Sequence, residues 1–216
     1  MEQDYLDSLG QCALFGGIDL QRALEELPGT IRSYAGDFLL IQEGERVESL
    51  HVVLKGTLRA SKFSDDGGEF LYQNIQQGYI AGVEVVCTPK KTSPYSVYTV
   101  TDCVLWSVPW ASLEDDRLPA ELRLALTKNL LYIVGNMNLR KFYKIDALSV
   151  RGVRARVWKY LNAQAERCGA KSFTVPFDRE AMANYLCVNR STLSHELGLM
   201  EAEGLIRFHK DQFTIL

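Results

Sequence analysis

The sequence predicts an α+β fold: an N-terminal antiparallel β-barrel of jelly-roll form, a long central dimerisation helix, and a C-terminal winged helix-turn-helix. Three observations carry this. From about residue 33 to 109, short apolar runs alternate with turn residues at regular spacing. From 119 to about 145 the chain has no turn cluster and two apolar stripes. After 177, two short helical segments meet at a three- or four-residue turn and lead into a hairpin. The expected boundaries are 1–116, 117–146 and 147–216.

The first 27 residues predict two short helices. Leu6, Leu9, Ala13 and Leu14 recur at helical spacing, and Asp19 can cap a second helix that stops before Pro28-Gly29. The barrel strands follow. Phe38–Ile41 precedes Gln42–Glu45, Leu50–Leu54 precedes Lys55-Gly56, Thr57–Phe63 precedes Ser64–Gly68, and Phe70–Ile75 precedes Gln76–Gly78. Asp-Gly and Gly-Gly turns of this kind join antiparallel strands. Tyr95 to Trp106 continues the pattern.

Pro119 opens the long helix in a first turn that tolerates it. Some 27 residues of helix make about 40 Å. One stripe is Leu122, Leu126, Ile133 and Met137; the other is Leu124, Leu131, Leu139 and Phe142. Two apolar faces need two partners, the chain's own barrel and the same helix of a second subunit. Leu122, Leu126, Ile133 and Met137 are the expected dimer interface. A single helix inside a monomer core is the alternative.

Val150–Ala165 predicts a further helix, with Val153, Val157, Trp158 and Leu161 inward and Cys168-Gly169 as its stop. A strand follows at Ser172–Val175. In Phe177–Ile206, Asp178 and Asn189 are good N-cap residues, and Ala183 is small where two helices approach. Leu186, Val188, Leu193, Leu197 and Met200 form an inner seam. Arg190, Ser191, Ser194 and His195 then point together from the first half of the second helix, where a recognition helix reads base edges in the major groove. Gly204 ends that helix. Leu205–Phe208 and Phe213–Leu216 flank His209–Gln212 as the wing.

With these motifs assembled, the chain resembles the CRP/FNR family of bacterial regulators over nearly its whole length. Gly44-Glu45, Val53–Gly56 and Gln77-Gly78 carry the likeness in the barrel, and the winged helix-turn-helix carries it at the C-terminus. The resemblance implies that Arg190 grips phosphate or guanine and that positions 191, 194 and 195 read bases. With Asn189, Thr192 and Arg179, these are the expected DNA-binding residues. The family commonly has Glu, then Ser or Gly, then Arg at the reading positions, where this chain has Ser191, Ser194 and His195. Losing an Arg–guanine pair removes about 1–3 kcal/mol of discrimination, so the target should differ from the usual family palindrome. Cys187 stands where the turn usually has Gly. A left-handed residue there costs about 1–2 kcal/mol, which predicts a differently shaped turn.

Charge agrees with a DNA-facing C-terminus. Residues 1–146 hold 14 Lys+Arg against 20 Asp+Glu, and residues 147–216 hold 10 against 7. Arg140, Lys141, Lys144, Arg151, Arg154, Arg156 and Lys159 cluster with one acid, Asp146, between 138 and 160. They either hold the DNA backbone or form a solvated helix face.

The resemblance also bears on the sensor. Cyclic-nucleotide-binding relatives hold the ribose with Gly-Glu-Leu and the phosphate with Arg-Ser. The corresponding stretches here are Gly82-Val83-Glu84 and Pro94-Tyr95-Ser96, and the phosphate Arg is missing. A buried phosphate without a cation is poorly compensated, so the expected effector is a small molecule other than cAMP. The expected pocket residues are Tyr72, Val83, Glu84, Tyr95, Ser96, Asn129, Tyr132 and Asn136; Tyr79 and Tyr98 are further candidates. Filled tyrosine packing, haem through His51 or Cys87, thiol sensing by Cys87 or Cys187, and a regulator without ligand stay open.

Other classes are set aside. No apolar run reaches the roughly 18 residues of a membrane helix, and MEQDYLDSLG lacks the pattern of a signal peptide. Five scattered cysteines without a CxxC predict reduced thiols in the cytoplasm, with no metal and no cofactor. No Ser/His/Asp, HExxH or P-loop spacing occurs, and His51, His195 and His209 sit in unrelated segments, so no catalytic residue is expected. The expected partners are double-stranded DNA, a second copy and a small-molecule effector, with RNA polymerase compatible and no membrane. The alternative is a ligand-binding regulatory protein acting through protein partners.

Overall fold

The structure is a computed structural model that describes residues 3–216. Met1 and Glu2, at the start of the predicted sensor domain, lie outside the described residues. The chain opens with α1 (Gln3–Gln11), a 3₁₀ turn at Ala13–Phe15 and α2 (Leu20–Glu26). Asp19 caps α2 by accepting from the amides of Gln21 and Arg22 at 3.1 and 3.3 Å. The β region comprises β1 (Thr30–Tyr34), β2 (Leu39–Ile41), β3 (Ser49–Lys55), β4 (Thr57–Phe63), β5 (Glu69–Gln76) and β6 (Ile80–Ala81). After α3 (Val83–Val86) come β7 (Ser96–Thr99), β8 (Cys103–Pro109) and α4 (Trp110–Glu114).

These strands form two four-stranded sheets, β1-β8-β3-β6 and β2-β7-β4-β5, the double-sheet form of a jelly roll. β1 pairs antiparallel with β8 from Thr30↔Ser107 to Tyr34↔Cys103, and β4 pairs antiparallel with β7 from Leu58↔Thr99 to Ser61↔Ser96. Leu50, Val52, Leu58, Leu105 and Trp106 are buried among these strands. Gly56 is required at the β3–β4 turn: its φ is +89°, and a Cβ there would lie 2.4 Å from the Asp102 carbonyl oxygen. Two features depart from expectation. β1 starts before Ser33, because its mostly exposed edge carries no apolar alternation. Tyr95–Trp106 is two strands, divided at Val100–Asp102, and each joins a different sheet.

The C-terminal elements are α5 (Ala120–Ser149), α6 (Val153–Cys168), β9 (Ser172–Thr174), α7 (Arg179–Leu186), α8 (Arg190–Ala202), β10 (Ile206–His209) and β11 (Gln212–Ile215). The last three strands form an antiparallel sheet, β10-β11-β9. Thirty residues make α5 about 45 Å long.

The described residues divide into two compact units, those up to 62 with 72–136, and 63–71 with 137–216. The division therefore falls inside α5, and the β4–β5 connection belongs to the C-terminal unit. In the first unit, Leu122 and Leu126 are only 7% and 1% exposed. This corrects the expected dimer interface: those two leucines are spent inside the subunit, and Ile133 and Met137 are half-buried. The stripe left uncovered is the other one, with Leu131 74% and Phe142 62% exposed beside Leu124 and Leu139.

The second unit has a core of Val157, Leu161, Phe177, Met182, Leu186, Leu193, Leu197, Met200, Ile206 and Phe213, joined by Leu71. Lys144 is buried there. Its ammonium donates to the Leu71 carbonyl and lies 4.2 and 4.3 Å from the Phe70 and Tyr185 ring centres. Burial lowers its pKa to about 8. Lys144 is thus a core cation and not a phosphate ligand.

Candidate nucleic-acid interface

The site is built from α7 and α8 around their shared seam. Asp178 caps α7 by accepting from the Ala181 amide at 2.7 Å. Ala183, Leu186, Leu193, Leu197 and Met200 are buried and Val188 is half-buried, as the sequence predicts. Cys187 takes the left-handed conformation, φ 53° and ψ 52°. The expectation of a differently shaped turn is corrected: the turn keeps the shape that usually uses Gly. The amides of Cys187 and Val188 bond back to the Asn184 and Ala183 carbonyls at 3.3 and 3.0 Å. Arg156 holds the turn from outside, donating Nη1 to the Cys187 and Leu186 carbonyls at 3.2 and 3.4 Å and Nε to the Val150 carbonyl at 3.2 Å.

The seam turns the opposite face of α8 outward. Arg190, Ser191, Thr192, Ser194 and His195 are all exposed. Among the described residues, none of these five side chains makes an intramolecular hydrogen bond or ion pair. Asn189 holds the N-cap position of α8, but its side chain makes no capping bond. It sits instead at a cavity of about 280 Å³ lined by Gly152, Val153, Arg156, Cys187, Val188, Asn189 and Thr192. The starts of α6 and α8 both open on this cavity without a side-chain cap. Free amides at a helix start favour an anion.

The remaining basic residues divide. Arg154 is paired with Glu203, Lys159 with Asp146 at 2.6 Å, and Arg156 braces the turn. Arg151 is exposed in the loop before α6. Much of the cluster that the sequence offers to DNA is therefore engaged within the protein. Arg179 is engaged as well. Its guanidinium lies over the Phe208 and Phe213 rings at 5.0 and 5.7 Å and donates to the Lys210 carbonyl at 3.2 Å. The sequence shows Arg179 as a cation beside the motif; only the fold shows the aromatic pair that receives it.

In the sensor region, three of the expected pocket residues come together. The Tyr95 hydroxyl donates to Glu84 Oε1 at 2.6 Å, and the Tyr72 and Tyr95 rings lie 5.2 Å apart. Burial, then the Glu84 charge, raise the Tyr95 pKa. Val83 is fully buried beside Glu84. The others do not join this group. Ser96 Oγ accepts from the Glu43 amide at 3.1 Å. Asn129 donates to the Leu14 and Gly16 carbonyls at 2.8 and 3.0 Å. Tyr132 is exposed, and Asn136 bonds back to the Tyr132 carbonyl. Helical phase explains this, since one face of α5 meets the N-terminal turn and the other is uncovered.

His51 Nδ1 lies 2.8 Å from Ser107 Oγ, and burial lowers its pKa to about 4. Burial raises the thiol pKa of both Cys87 and Cys187 above the ordinary value. Among the described residues, no three His, Cys, Asp or Glu side chains group in a way that can hold a metal ion, and no helix is long and apolar enough to cross a membrane.

A cyclic nucleotide-binding domain model matches residues 31–115, and a Crp-like helix-turn-helix domain model matches residues 155–216. The chain thus joins a cyclic nucleotide-binding domain to a Crp-like helix-turn-helix, the make-up of a DNA-binding transcription regulator of the CRP/FNR type. The Global nitrogen regulator of Synechococcus elongatus is 21% identical over 196 residues, covering 88% of this chain and 87% of that protein. FixK2 from Bradyrhizobium japonicum has a similar structure, with a TM-score of 0.69 and 20% identity over 88% of this chain and 93% of that one. CLP of Xanthomonas campestris, a c-di-GMP responsive global regulator, has a TM-score of 0.67 and 18% identity over 91% of this chain and 97% of that one.

Proposed function

We propose that the protein is a cytoplasmic, homodimeric regulator whose α8 reads a specific duplex sequence and whose sensor answers to a small molecule other than cAMP. The observation that carries this reading is the outward face of α8, where the side chains of Arg190, Ser191, Thr192, Ser194 and His195 are exposed and make no hydrogen bond or ion pair among the described residues. Arg190 grips guanine or phosphate. Ser191, Ser194 and His195 meet base edges, and Asn189 and Thr192, on the lip of the cavity, meet the backbone. Residues 1–116 sense, 117–146 pair the subunits, and 147–216 bind DNA. Pairing uses the uncovered stripe of Leu124, Leu131, Leu139 and Phe142. It sets two recognition helices about one DNA turn, roughly 34 Å, apart.

An effector other than cAMP is supported by the chemistry of the sensor group. In place of the Arg that holds a cyclic phosphate in the relatives, this chain has Tyr95, whose hydroxyl is bonded to Glu84. The Tyr72–Tyr95 pair favours an effector with a ring to stack. RNA polymerase is compatible as a further partner. The deciding experiment is Arg190→Ala, assayed by gel shift on a duplex selected from a random pool by the wild-type protein. The expected result is a loss of about 1–3 kcal/mol per subunit with the fold intact. Unchanged specific binding would overturn the assignment. Calorimetry with cAMP should show no saturable heat.

A further inference from the structure

Arg179 sits in the first turn of α7, where a cation opposes the helix dipole. Its side chain reaches across to the wing. Phe208 and Phe213 are cross-strand partners in the β10–β11 hairpin, with rings stacked 5.7 Å apart, and Phe213 stacks in turn on Phe173 of β9. The guanidinium closes this aromatic row over Phe208 and Phe213 and donates to the carbonyl of Lys210. Lys210 is the left-handed residue of the wing tip, φ 53°. The next carbonyl, Asp211, accepts from the Val175 amide at 2.9 Å. The tip is thus tied at two successive carbonyls, one to the end of β9 and one to the start of α7. The Lys210 side chain stays exposed.

We propose that Arg179 is a positioning residue of the DNA interface: it fixes the wing tip so that the Lys210 ammonium meets a backbone phosphate, and does not itself bind the duplex. This rests on the reading of α8 as the recognition helix. A planar fork stacks flat on both rings while it donates to the carbonyl, and the more strongly hydrated point charge of Lys holds that place less firmly. At a phosphate, by contrast, Lys retains the charge that matters.

The test uses the full-length protein and a fluorescent duplex recovered from a random pool by the wild type, titrated over a range of salt. Arg179→Lys and Lys210→Ala are each expected to weaken binding about tenfold and to lower the salt slope by about 1 per subunit. In the double variant the losses should not add, because each removes the same contact. Arg179→Lys binding like the wild type, with the Lys210→Ala loss undiminished in its background, would overturn the assignment. The wild type gives an independent readout that needs no variant to fold. With labelled arginine, the Arg179 Nη protons are expected as separate, slowly rotating signals before DNA is added. A single averaged signal would reveal a free fork and overturn the proposal. Arg190→Ala run alongside separates the two failures: if it binds normally, the reading of α8 fails, whereas additivity of Arg179 and Lys210 sinks only the positioning role.

Discussion

The outward faces of α5 and α8 are both uncovered, yet they are built from opposite chemistry. On α5 the row is large and apolar, with Leu131, Leu139 and Phe142. On α8 it is polar, with Arg190, Ser191, Ser194 and His195. Their inward faces are alike, since Leu126 on one and Leu193 and Leu197 on the other are fully buried. An apolar row gains about 25 cal/mol for each Å² removed from water, whatever apolar surface covers it. A polar row gains only from a partner that matches its donors and acceptors, because unmatched groups lose their hydration. The first face therefore selects a greasy partner of similar shape, and the second selects one that carries a pattern. On the proposed reading, a second copy meets the first need and a base-pair edge the second.

The largest effect should come from breaking the apolar face. Leu131→Glu removes two leucines from a symmetric interface, a loss of about 3–6 kcal/mol of dimer free energy. Sedimentation should report monomers with unchanged circular dichroism; a persistent dimer would assign pairing to another surface. Leu197→Ala strikes the inner side of α8 and should cost about 2–5 kcal/mol of stability in the C-terminal unit, read by thermal melting. Arg190→Ala, on the outer side of the same helix, should leave that melt unmoved. Acid stability should be set away from both faces, by His51. Its folded pKa is lowered to about 4, while an unfolded imidazole protonates near 6.5. Its contribution is complete above about pH 6.5 and is lost as the pH falls towards 4, on the order of 2–3 kcal/mol. His51→Asn should flatten that limb in denaturant titrations. The smallest effect belongs to the surface pair on α5 and α6: Asp146→Asn, which frees Lys159, should cost about 0.2–1 kcal/mol and fade in salt.

The helix-turn-helix was readable because its seam is local. Leu186, Leu193, Leu197 and Met200 lie within one short stretch, and helical spacing alone turns Arg190, Ser194 and His195 the other way. The two stripes of α5 were equally visible, but which one faces inward depends on packing against distant residues. The sequence therefore assigned Leu122 and Leu126 to the wrong partner. The sensor group was half readable. Tyr72, Glu84 and Tyr95 lie together, whereas Asn129 is drawn to the carbonyls of Leu14 and Gly16, 115 and 113 residues away. Lys144, Arg156 and Arg179 counted as DNA-facing charge until the fold supplied the carbonyls and rings that hold them. The positive φ of Cys187 was foreseen as a cost; the Arg156 bonds that steady the turn were not.

Selection of duplexes from a random pool by the purified full-length protein tests the central claim most directly. The expected result is enrichment of one two-fold symmetric motif, with half-sites about one helical turn apart, and loss of that enrichment in Arg190→Ala. Recovery of no motif, or of the same motif by the variant, would contradict the assignment of α8 as the reader.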